Sequence, residues 1–157
     1  MKKRSKYRPK GVILDTLTYV KSGLVPMANL KDQLIALQLK NHLALEALRT
    51  GKAIKEDIDT IINAFNITEA LTKQDIGQDY KAEIKEAQNA LYECAKRGVE
   101  RNYNFVMKGT EIKAINFVMQ LHDEQLQIAT VKDLELATNY VRKCIVNKLA
   151  RPIVEKI

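Results

Sequence analysis

Apolar side chains recur at steps of three and four over most of this chain, and that spacing places them on one face of successive α-helices. Leu30, Leu34, Leu37, Leu45 and Leu48 form one such stripe. Ile54, Ile58, Ile61, Ile62 and Phe65 form a second, and Ile84, Ala87, Leu91 and Ala95 a third. Ile115, Met119, His122 and Leu126 follow, and then Leu134, Ala137, Val141, Ile145 and Leu149. Six Gly and three Pro in 157 residues leave long stretches without a breaker. The pattern predicts an all-α fold, a bundle of about six mostly antiparallel helices joined by short connections.

The punctuation sets the expected boundaries. Gly11 opens a short helix over Val12 to Ser22, and Pro26 makes residues 24 to 28 a linker. Asn29 is the expected N-cap of a long helix that ends at Gly51 in the left-handed conformation. Ile35, Leu39, His42 and Leu43 add a further side to its apolar stripe, so this helix is expected at the centre of the bundle or at an oligomer interface. The next helix runs from Ile54 to Lys73, and the weak helix formers of Asn63 to Thr68 predict a kink or break. A turn around Gly77 leads to a helix over Tyr80 to Arg97 that stops at Gly98. Residues 99–109 are expected to be irregular, with a short extended piece. Thr110 caps a helix over Glu111 to Ala129. Thr130 caps the last one, where Thr130 and Asp133 form a capping box with Asp in place of Glu. Residues 11–157 read as a single helical domain.

Charge is uneven. Lys2, Lys3, Arg4, Lys6, Arg8 and Lys10 supply six cations and no acid to residues 1–10. Such a segment buries nothing and reads as a disordered basic arm, with Tyr7 its one aromatic residue. Residues 140–157 hold five cations against Glu155, so the net charge of +7 belongs to the two ends. Two placements in a nucleic-acid complex are consistent with this: Lys2, Lys3, Arg4, Lys6, Arg8 and Lys10 along a phosphate backbone, with Tyr7 stacked on a base. A solubilising tail is the alternative. The apolar Val12 to Leu14 is followed at once by Asp15, which predicts that the start is no secretory leader. No apolar run reaches the length of a membrane span. Cys94 and Cys144 make no disulfide framework, so a cytoplasmic setting is expected.

No catalytic signature survives inspection. Gly51-Lys52 lacks the flanking residues of a phosphate loop, and no zinc-protease, nucleophile-elbow or paired-Cys motif occurs. His42, Cys94, His122 and Cys144 are chemically suited to zinc but lack the close pairing of ligands, so no metal and no cofactor are assigned. Polar residues set into apolar stripes form a sharper signal. His122 lies between Met119 and Leu126, Asn41 between Leu37 and Leu45, and Glu69 one turn beyond Phe65. With His42 they suggest a buried cluster, Asn41, His42, Glu69 and His122, built around a Glu69–His122 pair. A network that fixes helix register is favoured over an acid–base pair or a ligand pocket, because no nucleophile accompanies it.

The stretches Lys2-Lys-Arg-Ser-Lys-Tyr-Arg-Pro-Lys10, Lys40-Asn-His42, Asn66-Ile-Thr-Glu-Ala-Leu71 and Leu121-His-Asp-Glu-Gln-Leu126 resemble small uncharacterised proteins encoded by bacteriophages and prophages. The resemblance implies a bacterial host cytoplasm and a phage-related role, and no specific activity. The expected function is a non-enzymatic interaction protein, dimeric or larger, that binds a host or phage macromolecule and modulates host machinery or defence. Two alternatives are a nucleic-acid accessory protein working through its basic termini, and a small-molecule binder or enzyme using the His/Glu cluster.

Overall fold

The computed structural model describes residues 25–77 and 79–147. The basic arm, the helix expected over Val12 to Ser22 and the last ten residues lie outside them. A 3₁₀ turn, Met27–Asn29, leads into five helices: α1 Lys31–Arg49, α2 Lys55–Lys73, α3 Lys81–Glu100, α4 Gly109–Ile128 and α5 Val131–Val146. The described fold is therefore all-α. Its only β feature among the described residues is an isolated bridge between Pro26 and Thr130.

The central element is α2, not the helix over 29–50. It packs against each of the other four helices, and it buries Ile58, Ile61, Ala64, Phe65, Ile67, Thr68, Ala70, Leu71 and Thr72. A helix with neighbours on several sides needs apolar or paired residues around most of its circumference. The expected break is absent: α2 runs as one helix through Asn63 to Thr68, where burial of Ala64, Phe65, Ile67 and Thr68 outweighs the weak propensity of the segment. By contrast α1 buries only one side, through Leu34, Asn41, Ala44, Leu45 and Leu48. Ile35, Leu39 and Leu43 remain exposed.

Two apolar clusters result. The larger joins Leu45 and Leu48 of α1, Ile58 to Phe65 of α2, Ile84 to Ala95 of α3, Phe105, and Ile115 to Leu121 of α4. The smaller joins Ile67, Ala70 and Leu71 of α2 to Ala129 and to Ala137 and Val141 of α5. Although only two residues separate α4 from α5, α5 packs on α2 rather than along α4. This departs from the expected run of antiparallel neighbours. Extended backbone at Ala129 and Thr130 turns the chain away, and Ala129 itself is fully buried. Met27 donates its N–H to the Ala129 carbonyl, and Val131 donates to the Val25 carbonyl. Ile145, expected inward, is exposed.

Some of the local signals are realised in the structure and others are not. The capping box at α5 is present in both directions, Asp133 N–H to Thr130 Oγ1 at 3.1 Å and Thr130 N–H to Asp133 Oδ2 at 2.9 Å. Gly51 and Gly77 adopt positive φ as expected of the two turns. Asn29 does not cap α1; it lies in the 3₁₀ turn, and Leu30 takes the cap position. Thr110 does not cap α4, which starts at Gly109, two residues before the expected Glu111, and is closed by Glu111 accepting from the Lys108 N–H. Gly98 does not end α3. The helix continues to Glu100, and Asn102 and Tyr103 take the left-handed conformation, with the Tyr103 N–H closing on the Gly98 carbonyl at 2.7 Å.

Gly98 has a different task. A Cβ there would stand 2.0 Å from Phe105 Cδ1, so the missing side chain is the space that the Phe105 ring occupies. Replacing an exposed helical Gly by Ala gains about 1 kcal/mol of propensity. Here the collision outweighs it. Gly98→Ala is expected to lower unfolding free energy by roughly 1–3 kcal/mol, the usual cost of overpacking. Urea denaturation measures this, and a stabilised variant would contradict the packing.

Candidate functional site

The polar side chains that enter the core do so where one apolar cluster gives way to the other. On α2 the inward direction passes from Ile61 through Phe65 to Thr68 and Thr72, steps of four, three and four. Thr68 and Thr72 are buried. On α4 the facing residues are His122 and Gln125, exposed by 1% and 0%. Thr68 Oγ1 lies 2.9 Å from the Ala64 carbonyl and 2.9 Å from His122 Nδ1. With its single proton on the carbonyl, Thr68 accepts from a His122 protonated at Nδ1. Gln125 Nε2 donates to Thr72 Oγ1 at 3.0 Å and reaches the carbonyls of Thr68 and Ile76, both at 3.2 Å. Four side chains on two helices thus share one ladder.

The partner of His122 is therefore Thr68, not Glu69. Glu69 is 45% exposed at its side chain, receives the Gln88 amide at 3.0 Å and lies 3.8 Å from Lys73 Nζ. A step of three from Phe65 points inward and a step of four reaches the rim, and this angular difference separates Thr68 from Glu69. Burial, with a smaller contribution from nearby His42, pushes the His122 imidazole down from 6.5 to about 4. It is neutral at physiological pH, with its Nδ1 tied to Thr68. That suits a structural role more than proton transfer.

Asn41 is buried, as its stripe required, but His42 is turned one residue around the helix and its side chain is 46% exposed. His42 Nε2 meets Asp123 Oδ2 at 2.6 Å, joining α1 to α4. Asp123, which reads from sequence as an ordinary solvated charge, is a partner in this contact. Its other oxygen, Asp123 Oδ1, and Asn41 Nδ2 are buried without hydrogen-bond partners, as is Gln125 Oε1. The four expected residues thus divide: Asn41 and His122 lie inside, and His42 and Glu69 lie at the surface with other partners. The residues of the arm, Lys2, Lys3, Arg4, Lys6, Tyr7, Arg8 and Lys10, lie outside the described residues.

A second polar assembly escaped the sequence reading. Arg97 of α3 grips Glu111 of α4 through Nη1–Oε1 at 2.8 Å and Nη2–Oε2 at 2.7 Å, and its Nη2 also reaches the Val106 carbonyl. Burial pulls the Glu111 carboxyl up, but the Arg97 hydrogen bonds and the Lys108 N–H outweigh it and hold it below the ordinary carboxylate value. The signal available in sequence was weak, because Glu111 sits in the first turn of a helix, where acids are common for reasons of dipole alone. Cys94 packs beneath this clamp. Burial first and the Glu111 charge second push its thiol up to about 11. A recess of about 270 Å³ is lined by Ile58, Ala95, Val99 and Phe105, with Lys55, Asp59 and Tyr103 as its polar residues.

Among the described residues, no group of three or more His, Cys, Asp or Glu stands close enough to hold a metal ion. His42, Cys94, His122 and Cys144, the four residues chemically suited to zinc, are thus not gathered. No helix of the described residues is long and apolar enough to cross a membrane.

Two outcomes follow from this geometry. Because the His122 pKa is lowered on folding, its stabilising contribution is complete above pH 6.5 and is lost as pH falls toward 4. The whole loss is roughly 3 kcal/mol. Stability followed from pH 7 to 5 should therefore decline in the native chain and stay flatter in His122→Leu. Thr68→Val and His122→Leu should be coupled by about 0.5–3 kcal/mol in a double-mutant cycle, whereas Glu69→Gln should add independently to His122→Leu. Coupling to Glu69 in place of Thr68 would refute the ladder.

Thiol labelling tests the second assembly. Cys144, which is partly exposed, should react with a thiol reagent in the native protein, and Cys94 should react only on unfolding. Equal native rates would show that the clamp over Cys94 is open.

No protein-family model, no curated protein and no solved structure matches this chain, so its function has to be read from its own residues.

Proposed function

We propose that this chain is a non-enzymatic interaction protein of phage type that presents α1 to a macromolecular partner in a bacterial cytoplasm, where it modulates host machinery or defence. One observation carries the reading. Ile35, Leu39 and Leu43 stand 59%, 56% and 60% exposed at successive four-residue steps, so they form a continuous aliphatic stripe on the solvent face of one helix. Isolated apolar residues on a surface are ordinary, but an aligned stripe of large ones is the usual mark of a binding face. The disposition of the polar residues supports the same reading. His122 is neutral and tied to Thr68, Glu111 is spent on Arg97, and the His42–Asp123 contact joins two helices. Two free cysteines fit a reducing compartment.

A second reading has its own support in the six cations of residues 1–10, which suit a phosphate backbone. On that reading the chain is a nucleic-acid accessory protein.

Affinity capture from host lysate, with and without nuclease, separates the two. Leu39→Glu should lose the captured protein without losing helicity, and nuclease should leave capture unchanged. If the Leu39→Glu variant captures the same species as the parent, α1 is not the binding face. Deletion of residues 1–10 tests the second reading. It should weaken binding to a fluorescent single-stranded oligonucleotide and make the dependence on log salt concentration shallower.

A further inference from the structure

The antiparallel bridge between Pro26 and Thr130 fixes the direction in which the chain arrives at α1. Two segments that run oppositely place the residues after one position beside the residues before the other. After Pro26 this holds: Met27–Asn29 packs against α4, the helix that ends just before Ala129. Before Pro26 the same rule sets the incoming chain beside α5. The Val131 N–H, donating to the Val25 carbonyl at 2.9 Å, carries the pairing to the first residue of that helix.

α5 needs a neighbour there. Of its 16 residues only Ala137 and Val141 are buried, and its main packing among the described residues is on α2. A helix of that length is marginal without a well-covered apolar face. Leu136 and Tyr140 are 49% and 42% exposed, and half-exposed Cys144 follows four residues later. The three form a stripe about 80° around the helix from the buried pair. Lys73 of α2 donates to Tyr140 Oη at 2.8 Å, so the stripe borders the groove between the two helices.

We infer that residues 12–22 dock on α5 of the same chain, along Leu136, Tyr140 and Cys144. Ile13, Leu17 and Val20 stand at steps of four and three, which makes one apolar face of a helix. Counting back from Val25 beside Val131, residues 20 to 13 fall alongside about residues 136 to 146, the spread depending on how extended residues 23–25 are. Charge agrees with this direction. Residues 12–22 carry only Asp15 and Lys21. Antiparallel to α5, Lys21 falls near Asp133 and Glu135, with Lys132 beside them, and Asp15 falls near Arg142 and Lys143. The reverse direction would bring Lys21 to Arg142 and Lys143, and Asp15 to Asp133 and Glu135. Asp15 stands across the helix from the apolar face, so the match acts through space and not as an ion pair in the contact. Residues 1–10 then lie past the end of α5, and salt screens their cations from Arg142 and Lys143.

Thiol chemistry on the full chain at physiological salt tests this, because Cys144 lies in the contact and buried Cys94 reports unfolding. Labelling of Cys144 should be about tenfold faster in Leu17→Glu than in the parent, the factor for a lost contact of ~1.4 kcal/mol, while Cys94 stays protected. Under mild oxidation Ile13→Cys should form a disulfide with Cys144, in a product that stays monomeric at every protein concentration. Asp15→Cys, on the far side of the segment, should not. An unchanged Cys144 rate in Leu17→Glu, with no link from Ile13→Cys, overturns the contact. Asp15→Cys linking as fast as Ile13→Cys would mean that the segment has no fixed face on α5. A linked dimer in place of a linked monomer would mean that it docks on a second copy. In Cys144→Ser, a link between Ile13→Cys and Leu43→Cys would place it on α1. Each of these three results also overturns the inference. If Leu17→Glu exposes Cys94, the cross-link alone decides, since Ile13→Cys leaves the rest of the apolar stripe intact.

Discussion

The arrangement depends on one demand: a helix enclosed on several sides must pair every polar group that it carries inward. α2 meets this demand through Thr68 and Thr72. Each hydroxyl donates to the carbonyl one turn back and offers its lone pairs to α4, where His122 and Gln125 take them up. The lateral position of α4 against α2 is thereby fixed by directional bonds rather than by apolar contact alone. Apolar surfaces tolerate sliding, whereas a buried donor shifted by one turn loses its acceptor at a cost of about 1–3 kcal/mol. Placed between the two apolar clusters, the ladder sets the register on which both depend.

The other half of the bundle uses a different device. α3 and α4 are joined by an eight-residue connection, 101–108, whose conformation is imposed from three sides. Left-handed Asn102 and Tyr103 close α3, the Phe105 ring fills the space above Gly98, and Arg97 holds both Glu111 and the Val106 carbonyl. Each of these contacts reaches across the connection, and together they give an irregular segment the order of the flanking helices. The edge-to-face contact of Tyr80 with Phe117, at 5.1 Å, ties the start of α3 to the middle of α4.

Periodicity revealed the helices because burial of one face is a property of a single segment. Five of them appear within a few residues of their expected limits, and the Thr130 capping box was readable because both of its members lie within four residues. What failed depends on partners distant in sequence. The apolar breadth of residues 29–50 suggested a central helix, but centrality is decided by how many neighbours arrive, and α2 received them. Glu69 and Thr68 are adjacent, and which of the two points inward turns on 100° of rotation that a loosely defined stripe does not resolve. Glu111 stands one turn ahead of Ile115 on the inward stripe of α4, and Asp123 lies next to inward His122. Their partners, Arg97 and His42, come from other helices, and nothing in the local sequence announces them.

The bridge at Pro26 and Thr130 joins positions more than a hundred residues apart in the chain. It holds the entry to α1 against the joint where α4 turns into α5, so the first four helices are closed into a loop from which α5 departs. Closing a loop of that length costs entropy that local helix formation does not recover. The bridge also makes the smaller apolar cluster answerable to the segment that precedes α1. Val25 to Met27 act as a latch on the joint before the last helix, and they tie the segment ahead of α1 to buried Ala129 of the smaller apolar cluster.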